Sequence, residues 1–270
     1  MRLPTYVRNA LYESGTGVLD VDGTELIAAH RQSLSRKPLL QSAYTTFYRE
    51  MIKNCERWLS ADGLEIELGS GVGFFKDLRP NIITSDIRAI PAVDRVIHAE
   101  QMDLADQAVR CIYAINAFHH LSDPERFFSE LCRVLKPGGG CILIEPHNGL
   151  ASSLLHRHMH KDEHFDPDAL SWKTQEIRGP LSGANQALAY IVFERDRQCF
   201  DEKFGRDLEI VYLSYCLNSL RHFFSGGLNF RQLLPTLVEP LLQAIEQIGR
   251  PLARHWAFYQ LIVLRRRVIS

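Results

Sequence analysis

The chain has 270 residues, 46% of them hydrophobic, and its formal net charge is -1. Lys and Arg number 31 against 32 Asp and Glu, so the excess of cations that a broad nucleic-acid-binding face requires is missing. The composition predicts a globular protein with one large core and disfavours nucleic acid as a partner.

The first residues, MRLPTYVRNALYESGTG, lack the unbroken apolar core of a signal peptide, and no apolar run is long enough to span a bilayer. We therefore expect a cytoplasmic protein. The six cysteines are scattered without a CxxC pair, a pattern that predicts neither a disulfide framework nor a zinc site.

Two periodicities divide the chain. Residues 1–60 are expected to be helical, since LSRKPLLQSAYTTFYREMIKNCERWL has apolar residues every three or four positions. Residues 61–147 alternate short apolar runs with helical stretches, in the order LEIEL, FFKDL, NIITSDI, DRVIHAE, CIYAIN, PERFFSELCRVL and CILIEP. That alternation predicts a parallel sheet with helices on both faces.

Beyond Pro146 the alternation stops for about sixty residues, which is typical of a lid or substrate-binding insertion. Two further strands are predicted at 208–213 and 258–266, separated by a helical stretch from Leu217 to Arg254. Residues 148–270 are thus expected to hold lid insertions and the last strands. The predicted fold is a doubly wound, mostly parallel seven-stranded α/β sheet with its last strand antiparallel and a lid from residues 1–50, 148–205 and 214–254.

A glycine-rich turn, Glu67-Leu-Gly69-Ser-Gly71-Val-Gly73, directly follows the strand LEIEL. Gly69 and Gly71 allow a tight turn and close approach of a ligand to the backbone. A dinucleotide fingerprint would have its third glycine at position 74, where this chain has Phe74, so the spacing argues against a pyrophosphate site. The Glu67 carboxylate suits a ligand that carries an ammonium group.

Asp86 lies at the carboxyl end of the next predicted strand, in IITSDI. A carboxylate at this position can accept both hydroxyls of an adenosine ribose. The alternative is a solvated loop aspartate, and the position at a strand end favours the ligand role.

Five ordered segments, ELGSGVGFF, TSDI, HAEQM, INAFHHL and RVLKPGGGCILIEP, resemble the class I S-adenosylmethionine-dependent methyltransferases of the small-molecule "type 11" group. The resemblance covers residues 62–147. It implies a Rossmann-like fold, S-adenosylmethionine as cofactor and a methyltransferase activity.

The resemblance also implies roles for single residues. Glu67 contacts the methionine ammonium, and the turn Gly69, Ser70 and Gly71 lines the methionine and the ribose. Asp86 binds the ribose, while Ile87 packs on the adenine.

Two further positions complete the implied cofactor site. Asn116, after the fourth strand, offers its backbone to the methionine amine. His98 and Ala99 stand where the family has Asp and Ala against the adenine edge. The Ala99 backbone can still contact the adenine edge. At the His98 position, the alternative is that Glu100 or a water molecule makes the contact with adenine.

A general base is required if the methyl acceptor is a hydroxyl. His119 and His120 follow the fourth strand and His147 follows the fifth, so these three are the candidate bases. The alternative for each is a packed or hydrogen-bonded histidine at the rim. Glu145 either orients an acceptor or holds the loop.

Two motifs have alternative interpretations. The segment His160-Lys-Asp-Glu163-His164 matches the HxxEH pattern of zinc peptidases, but Pro167 breaks the helix which that pattern needs, so no metal is expected. The apolar stretch Asn218 to Ile248 favours a lid packed on the core, and a weak peripheral membrane contact, with Arg265–Arg267 nearby, is the alternative.

We therefore expect S-adenosylmethionine-dependent methyl transfer, at oxygen, to a small or lipid-like apolar acceptor. A nucleotide-dependent oxidoreductase and a non-catalytic cofactor-binding protein with the same fold are the alternatives. The sequence does not indicate an oligomeric state.

Overall fold

The computed structural model describes residues 12–13, 19–20, 22–91, 93–159, 164–174, 179 and 184–268, with the side chains of 156–159 left out. Two helices lead into the sheet, α1 (Thr24–Arg36) and α2 (Pro38–Trp58). None of the helices in the described ranges has the length and apolar character needed to cross a bilayer.

Seven strands form one sheet in the order β3-β2-β1-β4-β5-β7-β6. Strands β1 to β5 pair in parallel, and β7 is antiparallel to both of its neighbours. The predicted doubly wound, mostly parallel fold with an antiparallel last strand is confirmed. The bounds are β1 (Leu64–Leu68), β2 (Ile83–Asp86), β3 (Arg95–Val96), β4 (Val109–Ile115), β5 (Leu135–Pro146), β6 (Leu208–Tyr215) and β7 (Tyr259–Arg266).

Both faces of the sheet are buried because alternate residues of the central strands point to opposite sides. Tyr113 of β4 joins the core under α2, while its neighbour Ile112 joins the core under α4 (Pro124–Val134). Asp123 caps α4 through its carboxylate, which accepts a hydrogen bond from the Arg126 backbone N–H, as expected for a helix beginning there.

The glycine run Gly138–Gly140 belongs to a strand and not to a turn after the helix. Helix α4 ends at Val134 and β5 begins at once with Leu135, so the glycines lie within the strand, where its register with β4 is shifted. Gly140 is needed there because a Cβ would clash with the Leu264 carbonyl of β7. The glycines thus allow close strand pairing.

Helix α3 (Phe75–Leu78), after the glycine turn, is a single turn. Pro80 disfavours helical backbone at Arg79 and stops it. The longer α2 covers this face instead, with the Tyr48 ring stacked on Phe75 at 4.4 Å between centroids.

The segment after β5 begins with α5 (Leu150–Met159), and its second half continues as α6 (Leu188–Tyr190), a π-helical turn (Ile191–Arg195) and α7 (Arg197–Phe204). Phe193 and Phe200 are buried against Phe128 of α4. These residues fall within the stretch expected to form a lid, yet they complete the core of the sheet, because their aromatic side chains fill the space beside α4.

The predicted helical stretch from Leu217 to Arg254 is divided into short helices. They are α8 (Ser219–Phe224), a 3-10 turn (Thr236–Val238), α9 (Glu239–Ile248), a second 3-10 turn (Arg250–Leu252) and α10 (Ala253–Trp256). Gly226 and Gly227, both with positive φ, interrupt the helix after α8.

We expect Phe128→Ala to lower the free energy of unfolding by about 3–5 kcal/mol, because Phe128 is fully buried and its ring contacts those of Phe118, Phe193, Phe200 and Phe204. Urea unfolding measures the change. Leu170→Ala is the control, since Leu170 is fully exposed and the change should cost less than about 0.5 kcal/mol. Equal, small losses for both variants would contradict this core.

Candidate functional site

The glycine turn joins the ends of three strands. Gly69 and Gly71 have φ of +65° and +42°, the left-handed region that favours glycine. A Cβ at residue 71 would lie 3.8 Å from Asp86 Oδ2, and a Cβ at residue 69 would lie 3.0 Å from the Ala117 Cβ. The turn after β1 therefore lies against the last residue of β2 and against the loop that follows β4, at the carboxyl edge of the sheet.

Gly73, the third glycine, allows α2 to pack closely on the turn. A Cβ there would clash with the Tyr48 hydroxyl, which lies directly over the turn. Its absence lets α2 approach the strand end closely, a packing role like that of the third glycine in dinucleotide folds.

Glu67 is buried at the end of β1, with 3% of its surface exposed. Its Oε2 is buried and has no hydrogen-bond partner among the described residues. Burial raises the pKa of Glu67 to about 7, although the nearby hydroxyls of Ser70 and Tyr48 oppose the rise. The carboxylate is therefore costly to ionise until a cationic group approaches it.

Two tyrosines of α2 surround this carboxyl group. Burial, with the Glu67 charge as a smaller cause, raises the pKa of Tyr44 to about 12 and that of Tyr48 well above its usual value. Both phenols therefore keep their protons and remain hydrogen-bond donors next to Glu67.

Ser70 ties β1 to β2. Its Oγ donates to the Glu67 carbonyl (3.3 Å) and accepts from the Ser85 N–H (3.1 Å), while its own N–H donates to the Ser85 carbonyl (2.8 Å). The structure thus gives this predicted cofactor residue a role in holding the turn.

Asp86 ends β2, is 3% exposed and pairs with Arg88. Its Oδ1 accepts from the Arg88 backbone N–H and from Nε, both at 3.0 Å, and its Oδ2 accepts from Nη2 at 3.3 Å. A carboxylate offers about four lone-pair positions, so two ribose hydroxyls would compete with Arg88. The next side chain, Ile87, is 44% exposed, as packing against a planar ligand requires.

His98 and Ala99 follow β3. His98 is exposed, and its Nδ1 accepts a hydrogen bond from the Glu100 N–H at 3.3 Å. The Glu100 carboxylate accepts from the N–H groups of Ser122 and Asp123 at 2.7 and 2.9 Å. The Glu100 carboxylate thus holds the loop before α4, and a contact of Glu100 with the adenine edge in place of His98 stays a prediction.

Asn116 follows β4 with a φ of +52°, a left-handed conformation that is uncommon for a residue with a side chain. Its Oδ1 is buried without a hydrogen-bond partner among the described residues. Backbone strain of this kind is concentrated at functional sites, which fits the predicted contact.

Glu145 of β5 holds the loop that carries Asn116. Its Oε1 accepts from the N–H groups of Ala117 and Phe118 at 2.9 and 2.8 Å, and its Oε2 lies 2.5 Å from His119 Nδ1. Both side chains are buried, at 0% and 3% exposure. Glu145 therefore fixes the His119 ring and the wall of the site together.

The other two candidate bases differ in surroundings. The His120 ring packs against the His119 ring at an interplanar angle of 37°, with 4.2 Å between ring centroids. His147 is buried after β5, its Nε2 lies 2.9 Å from the Arg254 carbonyl, and its Nδ1 lies 3.9 Å from Glu194 Oε1. Burial lowers the pKa of His147, so its neutral form is favoured.

The segment His160 to His164, in which no metal site is expected, is only partly described. His160 and Glu163 lie outside the described residues, and the exposed His164 pairs its backbone with residues 184 and 186. Elsewhere Cys55, Glu56 and Glu65 are close enough to share a cation, but Arg79 and Arg110 already pair with both carboxylates.

Tyr44, Tyr48 and Arg88 also belong to this site, although the sequence analysis did not predict them there. The two tyrosines are four residues apart and so share one face of α2, a spacing visible in the sequence. Which face would point to Glu67 depends on tertiary packing. Arg88, two residues after Asp86, could have been recognised as a competing partner.

We expect Glu67→Gln to remove a pH dependence of stability. Because the pKa of Glu67 is raised from 4.5 to about 7, its protonated form is favoured in the folded state. The stability of the wild type should fall, relative to the variant, as the pH rises from about 4.5 to about 7, by an amount on the order of 3 kcal/mol. Urea unfolding of both proteins across that range measures it, and parallel stability curves would rule out the raised pKa.

Comparison with known proteins gives one family match. Residues 41–143 match a family model described as a methyltransferase domain. This stretch runs from α2 into β5 and includes Glu67, Asp86 and Asn116. Among curated proteins no sequence matches the chain.

Several solved structures are similar. Geranyl diphosphate C-methyltransferase from Streptomyces coelicolor, in complex with Mg²⁺, geranyl diphosphate and S-adenosyl-L-homocysteine, is 13% identical over 96% of this chain and 90% of its own, with a TM-score of 0.43. An S-adenosylmethionine-dependent methyltransferase from Mesorhizobium loti is 14% identical over 79% and 96%, at 0.43. The [4+2]-cyclase SpnF is 14% identical over 82% of each chain, at 0.41.

The family match confirms the resemblance found in the sequence, and it supports the expected cofactor, S-adenosylmethionine. Over residues 41–143 the chain is similar to the methyltransferase-domain family.

Proposed function

We propose that the protein is an S-adenosylmethionine-dependent methyltransferase that acts at oxygen on a small or lipid-like apolar acceptor. The observation that carries this proposal is the buried Glu67 Oε2, which has no hydrogen-bond partner among the described residues and lies at the glycine turn. An ammonium group would satisfy that oxygen and stabilise the charged carboxylate, and the methionine end of the cofactor carries one.

The residues around the turn fit the rest of the cofactor. Gly69 and Gly71 leave the backbone uncovered beside Asp86, whose carboxylate would take the ribose hydroxyls in exchange with Arg88. Ile87 offers an exposed aliphatic side chain to the adenine, and the Ala99 backbone offers hydrogen bonds to its edge. The Asn116 backbone would contact the methionine amine.

Bound S-adenosylmethionine supplies a methyl group attached to a sulfonium sulfur. The leaving group in the transfer is the neutral thioether, which is a good one. The protein then has to hold the acceptor in line with that methyl group, exclude water and, for a hydroxyl acceptor, remove a proton. His119 suits the last role because Glu145 fixes its Nδ1 side, as the carboxylate of a catalytic triad orients its imidazole. His120 and His147 are the alternatives.

The two alternative functions from the sequence, an oxidoreductase and a non-catalytic cofactor-binding protein, can be distinguished from a methyltransferase. A nicotinamide oxidoreductase would need glycine at position 74, where Phe74 stands. A protein that binds the cofactor without catalysis would share every cofactor contact but would show no turnover with any acceptor.

We expect S-adenosylhomocysteine to bind in isothermal titration and NAD not to bind. Asp86→Ala should weaken binding roughly tenfold or more, because hydrogen bonds to a charged group are lost. Arg88→Ala is the matched control, since it removes the competing cation and keeps the carboxylate, and it should bind at least as tightly as the wild type. Binding of NAD alone, or equal affinities of wild type and folded Asp86→Ala protein, would contradict the proposed site.

We expect His119→Ala to lower turnover roughly 100-fold with an oxygen acceptor, as the loss of a general base does, while affinity for S-adenosylhomocysteine stays the same. Assays with labelled S-adenosylmethionine measure turnover, and a shifted pH–rate profile would separate loss of a base from loss of structure. Turnover within a few-fold of wild type for both His119→Ala and His120→Ala would exclude these bases and leave His147.

A further inference from the structure

Residues 231–255, which we call the cap, lie between β6 and β7 and expose an unusual amount of apolar surface. Six of the thirteen large hydrophobic side chains exposed in the described residues lie here, namely Leu233, Leu237, Leu241, Ile245, Ile248 and Leu252. Scattered apolar residues are normal on a protein surface, but a concentration of this kind is typical of an interaction site.

Helix α9 places these side chains on one stripe. Leu241, Ile245 and Ile248 are spaced by four and three residues, which puts them on the same face of a helix. Leu242 and Glu246 are buried on another face, and α9 packs on α8. The core of this chain therefore uses one face of α9, and the apolar stripe points away from it.

The charges of the same segment have one sign at the surface. Arg231, Arg250 and Arg254 are exposed, whereas no carboxylate is exposed in residues 231–255, all of which the structure describes. Glu246 is fully buried and pairs with the buried Arg221, with 2.8 Å between Oε2 and Nε. Glu239 is half-buried and accepts hydrogen bonds from Ser42 and Gln243.

A neighbouring helix extends the apolar surface. Leu150 and Leu154 of α5 are 77% and 65% exposed, and α5 packs against α10 at the end of the cap segment. By contrast, Arg265 and Arg267, suggested by the sequence as lipid contacts, pair with Glu209 at the far end of β7. The amphipathic surface thus belongs to the cap, on the side of the sheet where the strands β1 to β5 end.

We propose that this cap surface, formed by the apolar and arginine side chains of residues 231–255, binds the surface of a lipid bilayer that contains anionic lipids. The leucine and isoleucine side chains enter the boundary between headgroups and acyl chains, and the arginines face the anionic headgroups. A symmetric contact between two copies fits less well, because it would bring the same arginines together. The inference does not depend on methyl transfer.

Sedimentation of the full chain with vesicles tests it. The protein should bind phosphatidylcholine vesicles that contain phosphatidylglycerol, bind pure phosphatidylcholine vesicles more weakly, and lose binding as the salt concentration rises. The double variant Leu241→Gln, Ile245→Gln should bind at least about tenfold more weakly. Leu170→Gln, a change at a fully exposed leucine outside the cap, should bind like the wild type.

A second variant tests the charges. Arg231→Gln, Arg250→Gln should lose most of the preference for phosphatidylglycerol, roughly tenfold or more in partitioning. Thermal melting establishes that each variant is folded. The proposal is overturned if folded wild type binds neither kind of vesicle, if the cap variants bind like the wild type, or if sedimentation velocity shows a dimer that Leu241→Gln, Ile245→Gln converts to monomer.

Discussion

The burial of one carboxyl group, that of Glu67, is the constraint on which the site depends. The group lies near the end of β1, where the glycines of the Gly69 to Gly73 turn carry no side chains and Tyr48 of α2 lies beside the carboxyl group. Its pKa of about 7 reflects burial that the nearby hydroxyls compensate only in part. A site with this property favours a ligand that brings positive charge, and in this respect it differs from a pyrophosphate site, where backbone N–H groups meet negative charge.

The glycines and α2 are parts of the same arrangement. Residue 73 has to be glycine because the Tyr48 hydroxyl occupies the space that a side chain would need. The Tyr48 ring stacks on Phe75, and its hydroxyl lies near the Glu67 carboxyl group. On the other side of the turn, Glu145 fixes both the strained Asn116 loop and the His119 ring. The cofactor side and the proposed base side of the site are therefore connected through a few buried polar groups.

The sheet, the glycine turn and the position of Asp86 at a strand end could be predicted because strand-helix alternation and strand ends are local patterns. The sequence did not predict that Ser70 joins β1 to β2, that Arg88 pairs with Asp86, or that Tyr44 and Tyr48 face Glu67. These are contacts between elements, and residue type and spacing alone do not define them. Phe193 and Phe200 belong to the core although the sequence placed them in a stretch expected to form a lid, since apolar residues of this kind suit either a lid or a core.

The pKa of Glu67 itself, measured by NMR on protein with labelled glutamate and assigned with the Glu67→Gln variant, tests most directly whether this carboxyl group binds the cofactor. We predict a pKa near 7 in the free protein, falling well below that value when S-adenosylhomocysteine saturates the site, because the ligand ammonium stabilises the carboxylate. An ordinary pKa in the free protein, or a raised pKa that stays the same at saturation, would show that Glu67 does not have this role.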